Sequence, residues 1–364
     1  MIGPPGPPGR ARKARIEVPQ PAPDPPAQPE LGGPEIAPPR LARYELVLPS
    51  GATVGVSVCG AGVPLVVIHG FGGAGILYAQ TLSRLVRLGY LVLTIDAPGH
   101  GRSETIPLWS DFERYASLVT QTLDHLGIER AIFVGHSMGG RVVAELGARQ
   151  PHRVIAMVLV DAIVGDVWDA MVDVFRVLPA LYAGFGLGLL ADTASTLVRF
   201  DNPRQALKLA RLLAPTGVGH VLRPWRLAGP MLTILRASSS DVVLQRVREH
   251  GLTVCFVHGD RDVLVPLGNA RRAAVAAGAT LVTVHGARHS WLLSDPESFP
   301  ALLASLGPVG LDAARTGLAG PEQRFYRAGA AVLAMTPDPR PVPLRHRHRA
   351  PRYRWSIEEP KSPS

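Results

Sequence analysis

The chain has 364 residues, 46% of them hydrophobic and 18% charged, with a formal net charge of +9. This length and apolar content allow one large domain or two ordinary ones with a real core, and they exclude a wholly disordered or fibrous chain. The 35 prolines crowd toward the ends, and basic clusters there (Arg10, Arg12, Lys13 and Arg15; Arg345, Arg347, Arg349, Arg352 and Arg354) account for part of the charge.

Residues 1–40, running MIGPPGPPGR…PAPDPPAQPE…PEIAPPR, hold too little apolar surface to offset chain entropy and read as a disordered segment. YELVLP (44–49) and TVGVSV (53–58) flank Ser50-Gly51 as a hairpin. PLVVIHG (64–70), YLVLTID (90–96), AIFVG (131–135) and VIAMVLVD (154–161) are short, continuously apolar runs, the pattern of strands buried on both faces. Helices are predicted between them over about 76–88, from a cap at Asp111 to Leu126, and over Met138–Arg149.

The rhythm breaks over 162–248, which is helical and markedly apolar, and includes VLPALYAGFGLGLLA (177–191). It resumes with GLTVCFVHGD (251–260), a helix near 267–277, ATLVTVHG (279–286) and a last helix from about 290 to 305. The expected organisation is a core in two parts, 41–161 and 249–306. A helical cap, 162–248, follows the fourth buried strand, and a largely disordered basic extension covers 307–364. Strands alternating with helices imply a mostly parallel α/β sheet covered on both faces.

Ligands of such a sheet bind beyond the carboxyl ends of the strands. The segments there are HGFGG (69–73), DAPGHGRS (96–103), GHSMGG (135–140), HGDRDVLVP (258–266) and HGARHS (285–290). GHSMGG fits G-x-S-x-G between a strand and a helix, a tight turn that lifts the Ser137 hydroxyl clear of the sheet while Gly135 and Gly139 make room for the bend. A serine needs a base, and His289 follows the last strand. Asp262 is the preferred orienting acid, against Asp260, which is read as steadying its turn, and Asp161, read as a strand-end carboxylate. The order Ser…Asp…His is the one that goes with this turn. The backbone N–H of Met138 and that of Phe71 are the expected donors to a developing oxyanion, with His69 and Gly70 shaping the second loop. His285 reads as a packed or surface histidine.

These segments together resemble the α/β-hydrolase family across about residues 42–306. The resemblance implies a Ser137–Asp262–His289 triad, with DAPGHGRS a structural turn beside it. One departure is Arg288-His289 where the family usually has Gly-His. Serine at the turn argues against the epoxide-opening and halide-removing branches, which use aspartate. The expected activity is hydrolysis of carboxylic esters, hydrophobic or lipid-like on the acyl side because the cap is apolar. C–C bond hydrolysis, perhydrolysis of the haloperoxidase type, and a non-catalytic binding protein on the same fold are the alternatives. No metal or organic cofactor is expected, and no nucleic-acid partner, because no stacking platform or reading helix accompanies the basic ends. Cys59 and Cys255 read as buried small hydrophobes. The N-terminus lacks the apolar core of a signal peptide, giving an expectation of a cytoplasmic protein, with weak peripheral contact to anionic membranes through its basic ends.

Overall fold

The computed structural model describes residues 40–196, 203–307, 342–343 and 350–359. The Pro-rich segment at 1–39 and most of the extension after 307 lie outside the described residues. Strands β1 (Arg40–Val47) and β2 (Thr53–Gly60) pair antiparallel with Val47 opposite Thr53, the hairpin read from the sequence. The strands β3 (Val63–Ile68), β4 (Tyr90–Ile95), β5 (Ala131–His136), β6 (Val154–Val160), β7 (Val254–Gly259) and β8 (Thr280–His285) are the apolar runs, and they pair in parallel. Every residue of β4, β5, β6 and β7 is buried, which is why these strands do not alternate in polarity. Each Val or Leu fully buried there contributes about 1.5–3 kcal/mol.

Helices α1 (Ala79–Arg87), α2 (Phe112–His125), α3 (Met138–Arg149), α9 (Leu267–Ala277) and α11 (Ser298–Ser305) connect the strands. Asp111 caps α2 as its position suggested, accepting the Arg114 N–H at 2.9 Å. The single helix expected over 290–305 is instead two, α10 (Trp291–Ser294) and α11, because Pro296 forces Asp295 into extended backbone (φ −135°, ψ 99°).

With β9 (Val342–Pro343) and β10 (Arg354–Glu358) at its two edges, the sheet order is β10-β8-β7-β6-β5-β3-β4-β2-β1-β9. The chain leaves β3 toward β4 on one side and returns to place β5 on the other, so the loops after β3 and β5 diverge and open a crevice between them. Between β6 and β7 lie α4 (Asp166–Val177), α5 (Pro179–Ser195), α6 (Pro203–Leu222), α7 (Ala228–Leu235) and α8 (Ser240–Glu249), in the stretch expected to form a helical cap.

Two short strands lie in the extension expected to be largely disordered. Arg354–Glu358 form β10, antiparallel to β8, and a two-residue β9 (Val342–Pro343) pairs with β1. In Arg-Trp-Ser-Ile-Glu, apolar residues alternate with polar ones, which suits a strand with one covered face, and the Trp355 indole N–H donates to Ser305 Oγ at 3.1 Å. Cys59 and Cys255 are both buried, and burial pushes their thiols up to about 11 and about 12, as inert core residues.

Candidate active site

Ser137 sits between β5 and α3 with φ 54° and ψ −118°, one of two described non-glycine residues with positive φ. Such backbone is strained for an L-residue and must be held by its surroundings. Its N–H donates to Val160 O at 2.9 Å, and a Cβ on Gly139 would stand 2.2 Å from Ile68 O. That second contact is with backbone, which cannot yield, so the bend requires glycine there.

The structure brings Ser137, His289 and Asp262 together from three different strand ends. The Ser137 hydroxyl meets His289 Nε2 at 2.9 Å, and His289 Nδ1 meets Asp262 Oδ2 at 2.7 Å. A carboxylate only accepts, so Nδ1 carries the proton and Nε2 is left to accept from the serine. Asp262 Oδ1 accepts from the Leu264 and Val265 N–H groups at 2.8 and 3.0 Å, which fixes the carboxylate plane. All three side chains are buried. Burial works against a charged imidazole, but the Asp262 carboxylate with Asp161 and Asp192 outweighs it and raises His289 to about 9. For Asp262 burial pushes upward, and the opposing charge and hydrogen bond of His289 prevail and lower it.

Of the competing acids, Asp260 lies apart and partly exposed. It accepts the Gly286 N–H at 2.7 Å and faces the exposed His285 at 3.2 Å, steadying a turn. Asp161 is more than a strand-end carboxylate. It is fully buried with φ 44°, accepts the Gly259 N–H at 2.9 Å and the Trp291 indole N–H at 2.8 Å, and ties β6 to β7 and to the helix after His289. Burial and the nearby Asp262 charge hold its carboxyl well above the usual range. Asp161, His258 and Asp262 have the makings of a metal cluster, but the carboxylate oxygens are already occupied by N–H donors in a hydrogen-bond network.

Two supports were not read from the sequence, and a third was. His136 accepts from the Tyr78 hydroxyl at Nδ1 (2.8 Å) and donates from Nε2 to the His289 carbonyl (3.0 Å), so the residue before the serine anchors the histidine loop. Burial drops His136 to about 3, keeping it neutral for this role. Asp192, the only charged residue of α5, is buried and accepts the Ser290 N–H at 2.8 Å, latching the cap beside His289. Asp96 accepts from Gly75 N at 2.7 Å and Arg102 N at 2.9 Å, so DAPGHGRS acts as the brace that the resemblance implied. The hint for His136 was its place inside the turn motif; for Asp192 it was a lone acid in an apolar helix.

The loop after β3 lies against the serine, since a Cβ on Gly70 would be 3.0 Å from Ser137 Cβ. Neither Phe71 N–H nor Met138 N–H has a protein acceptor among the described residues. The Gly72 N–H donates to His100 Nε2 and the Gly72 carbonyl accepts from His220 Nε2 on α6, both at 3.0 Å, so Gly72, the residue after Phe71, is held on both sides.

A family profile described as the alpha/beta hydrolase fold matches residues 63–296. The chain belongs to the α/β-hydrolase family. A protein of Mycobacterium phage D29, provisionally named a non-heme haloperoxidase, is 34% identical over 72% of this chain and 94% of its own length. The dihydrolipoyllysine-residue acetyltransferase component of the acetoin cleaving system of Cupriavidus necator is 30% identical over 72% of this chain and 68% of its own. Among solved structures, a carboxylesterase of the thaumarchaeon Nitrososphaera gargenis covers 75% of this chain and 99% of its own at 19% identity and a TM-score of 0.58, a likeness of fold. With relatives named for enzymes in the same family, the chain is an enzyme, an α/β hydrolase.

Proposed function

We propose that this α/β hydrolase cleaves carboxylic esters through an acyl-enzyme on Ser137. The observation that carries the proposal is the continuous hydrogen-bonded line from the Ser137 hydroxyl through His289 to Asp262, at 2.9 and 2.7 Å. His289 takes the serine proton as Ser137 attacks the carbonyl carbon, and Asp262 stabilises the imidazolium that forms. The N–H groups of Phe71 and Met138 receive the developing oxyanion, the latter at the positive end of α3. His289 returns the proton to the leaving alcohol, then activates water to release the acid. No step calls for a metal or an organic cofactor.

The substrate reading is a hydrophobic acyl group. It is supported by the cap, where α5 carries a single charged residue among 17. A fluorophosphonate probe should label Ser137 and fail to label Ser137→Ala; an unlabelled, folded wild type would overturn the assignment. A second reading is perhydrolysis, in which hydrogen peroxide replaces water at the acyl-enzyme and a peracid is released. The name of the phage relative favours it. Peracid formation from an ester and peroxide at a rate rivalling ester hydrolysis would select it.

Among the described residues no helix is long and apolar enough to cross a membrane. The expected contact of the basic ends with anionic lipid is part of the proposal, and cosedimentation with anionic vesicles that survives deletion of 1–40 and 336–364 would remove it.

A further inference from the structure

The loop after β3 is a turn from Gly70 to Gly73, closed by the Gly73 N–H on the Gly70 carbonyl at 3.1 Å, with Gly72 at φ 71°. Gly72 is the third residue of the turn, where type II geometry needs a positive φ and glycine adopts it without strain. Type I geometry differs chiefly in turning the middle peptide, Phe71–Gly72, the other way round. Neither group of that peptide takes part in the closing bond, so its direction is set from outside the turn.

Three histidines from three parts of the chain hold this loop. His69 Nε2 accepts the Ala97 N–H at 2.9 Å, so its Nδ1 carries the proton and donates to the Gly70 carbonyl at 2.7 Å. With that carbonyl held, the N–H of the same trans peptide, that of Phe71, points the opposite way, out of the turn. His100 lies in the turn over 96–103. Its Nδ1 is 2.9 Å from the Pro98 carbonyl, which only accepts, so Nδ1 is the donor and Nε2 is left to take the Gly72 N–H at 3.0 Å. His220 of α6 donates to the Gly72 carbonyl.

The His100 ring stands at the centre of the group, edge to face with His69 at 5.2 Å and with Phe71 and His220 at 5.8 Å each. It is fully buried, and burial holds its pKa well below the ordinary imidazole value, so it stays in the neutral form that can accept from Gly72.

We infer that His100 is a positioning residue for the proposed oxyanion site, with His220 as its counterpart in the cap. By holding the Gly72 N–H, His100 fixes the Phe71–Gly72 peptide, and through the shared Phe71 Cα it fixes the direction of the donor N–H. This role rests on the proposed ester chemistry and adds to it what aims the donor.

The test uses the full chain and two substitutions that each keep one of the two bonds. His100→Asn can still donate to the Pro98 carbonyl but is too short to reach the Gly72 N–H. His100→Gln can accept from Gly72 but gives up Pro98. The readings are kcat and KM for a short-chain ester and the inhibition constant of an alkyl trifluoromethyl ketone. In the ketone complex the Ser137 oxygen bonds to the ketone carbon, its proton passes to His289, and the ketone oxygen becomes an oxyanion. His100→Asn is expected to lower kcat and ketone affinity about thirtyfold with KM within about twofold, somewhat less than the loss of an oxyanion donor outright. His100→Gln should recover both to within about threefold of wild type. His220→Leu frees the other side of Gly72 and should lose about fivefold on the same two readings. It decides the matter if His100→Asn does not fold, and no loss there would then overturn the inference. Equal losses in His100→Asn and His100→Gln, or losses that KM shares, would reduce His100 to a residue of the fold and overturn it likewise. Fluorophosphonate labelling separates the two failures: a labelled wild type with no difference among the variants sinks the role of His100 alone, and an unlabelled wild type sinks the ester chemistry with it.

Discussion

The sheet and the cap hold their residues in different ways. At the strand ends the polar side chains around the serine are buried and partnered: Asp161 holds two N–H donors, Asp262 three, and His136 spans from Tyr78 to the His289 carbonyl. In the cap the pattern is inverted. Leu187 and Leu190 of α5 are each 67% exposed, while the lone acid, Asp192, points inward. Tyr182, Phe185, Trp168 and Phe175 form the aromatic inner packing. The cap reaches the strand-end loops through a few polar contacts, among them Asp192 to Ser290 and His220 to Gly72. A rigid lower layer thus fixes the proposed chemistry, and an upper layer touches the loop bearing the base, the loop bearing an oxyanion donor and the turn over 96–103.

The largest effect expected from breaking this contrast is in the lower layer. Ser137→Ala should reduce ester turnover by about 10⁴-fold or more without loss of fold, read by steady-state kinetics with circular dichroism. Asp161→Ala orphans the Gly259 and Trp291 N–H groups and should lower unfolding stability by about 3 kcal/mol in denaturant titration; a loss below about 1 kcal/mol would mean that the network is not structural. The pH profile comes next. A protonated His289 cannot accept the serine proton, and its pKa is raised, so kcat/KM should be lost as pH falls at values above the ordinary imidazole midpoint of about 6.5. Asp192→Asn keeps an acceptor for the Ser290 N–H and removes one charge that raises His289, so the acidic limb should move to lower pH by roughly half a unit. An unmoved limb would reduce Asp192 to a structural latch. The smallest effect belongs to the outer cap: Leu187→Gln should leave stability within about 0.5 kcal/mol and short-chain ester kinetics unchanged.

The strands and the proposed catalytic residues were legible because each is a local signal: an apolar run, a turn motif, a polar residue just past a strand. Asp262 was harder, since Asp260 and Asp161 also follow strands, and only the direction of each side chain in space separates them. The supports were hidden for a related reason. Tyr78 and His136 are 58 positions apart, and Asp192 and Ser290 are 98 apart, and no local pattern announces such a contact. The long last helix was expected through Pro296, where the rule that proline's predecessor leaves the helix was available and decisive. β10 was missed because arginine and proline around it set the regional composition, although Trp355 and Ile357 alternate as a strand requires.

That strand has a consequence for the life of the protein outside the catalytic cycle. Without β10 the outer row of β8 amides would stand bare, an open template on which another copy could add its own strand. The Tyr353 ring also packs edge-on against Trp291, two residues beyond His289. Trimming residues 350–359 would move the sheet edge from β10 to β8 and take away the Tyr353 ring packed beside the segment that carries the proposed base.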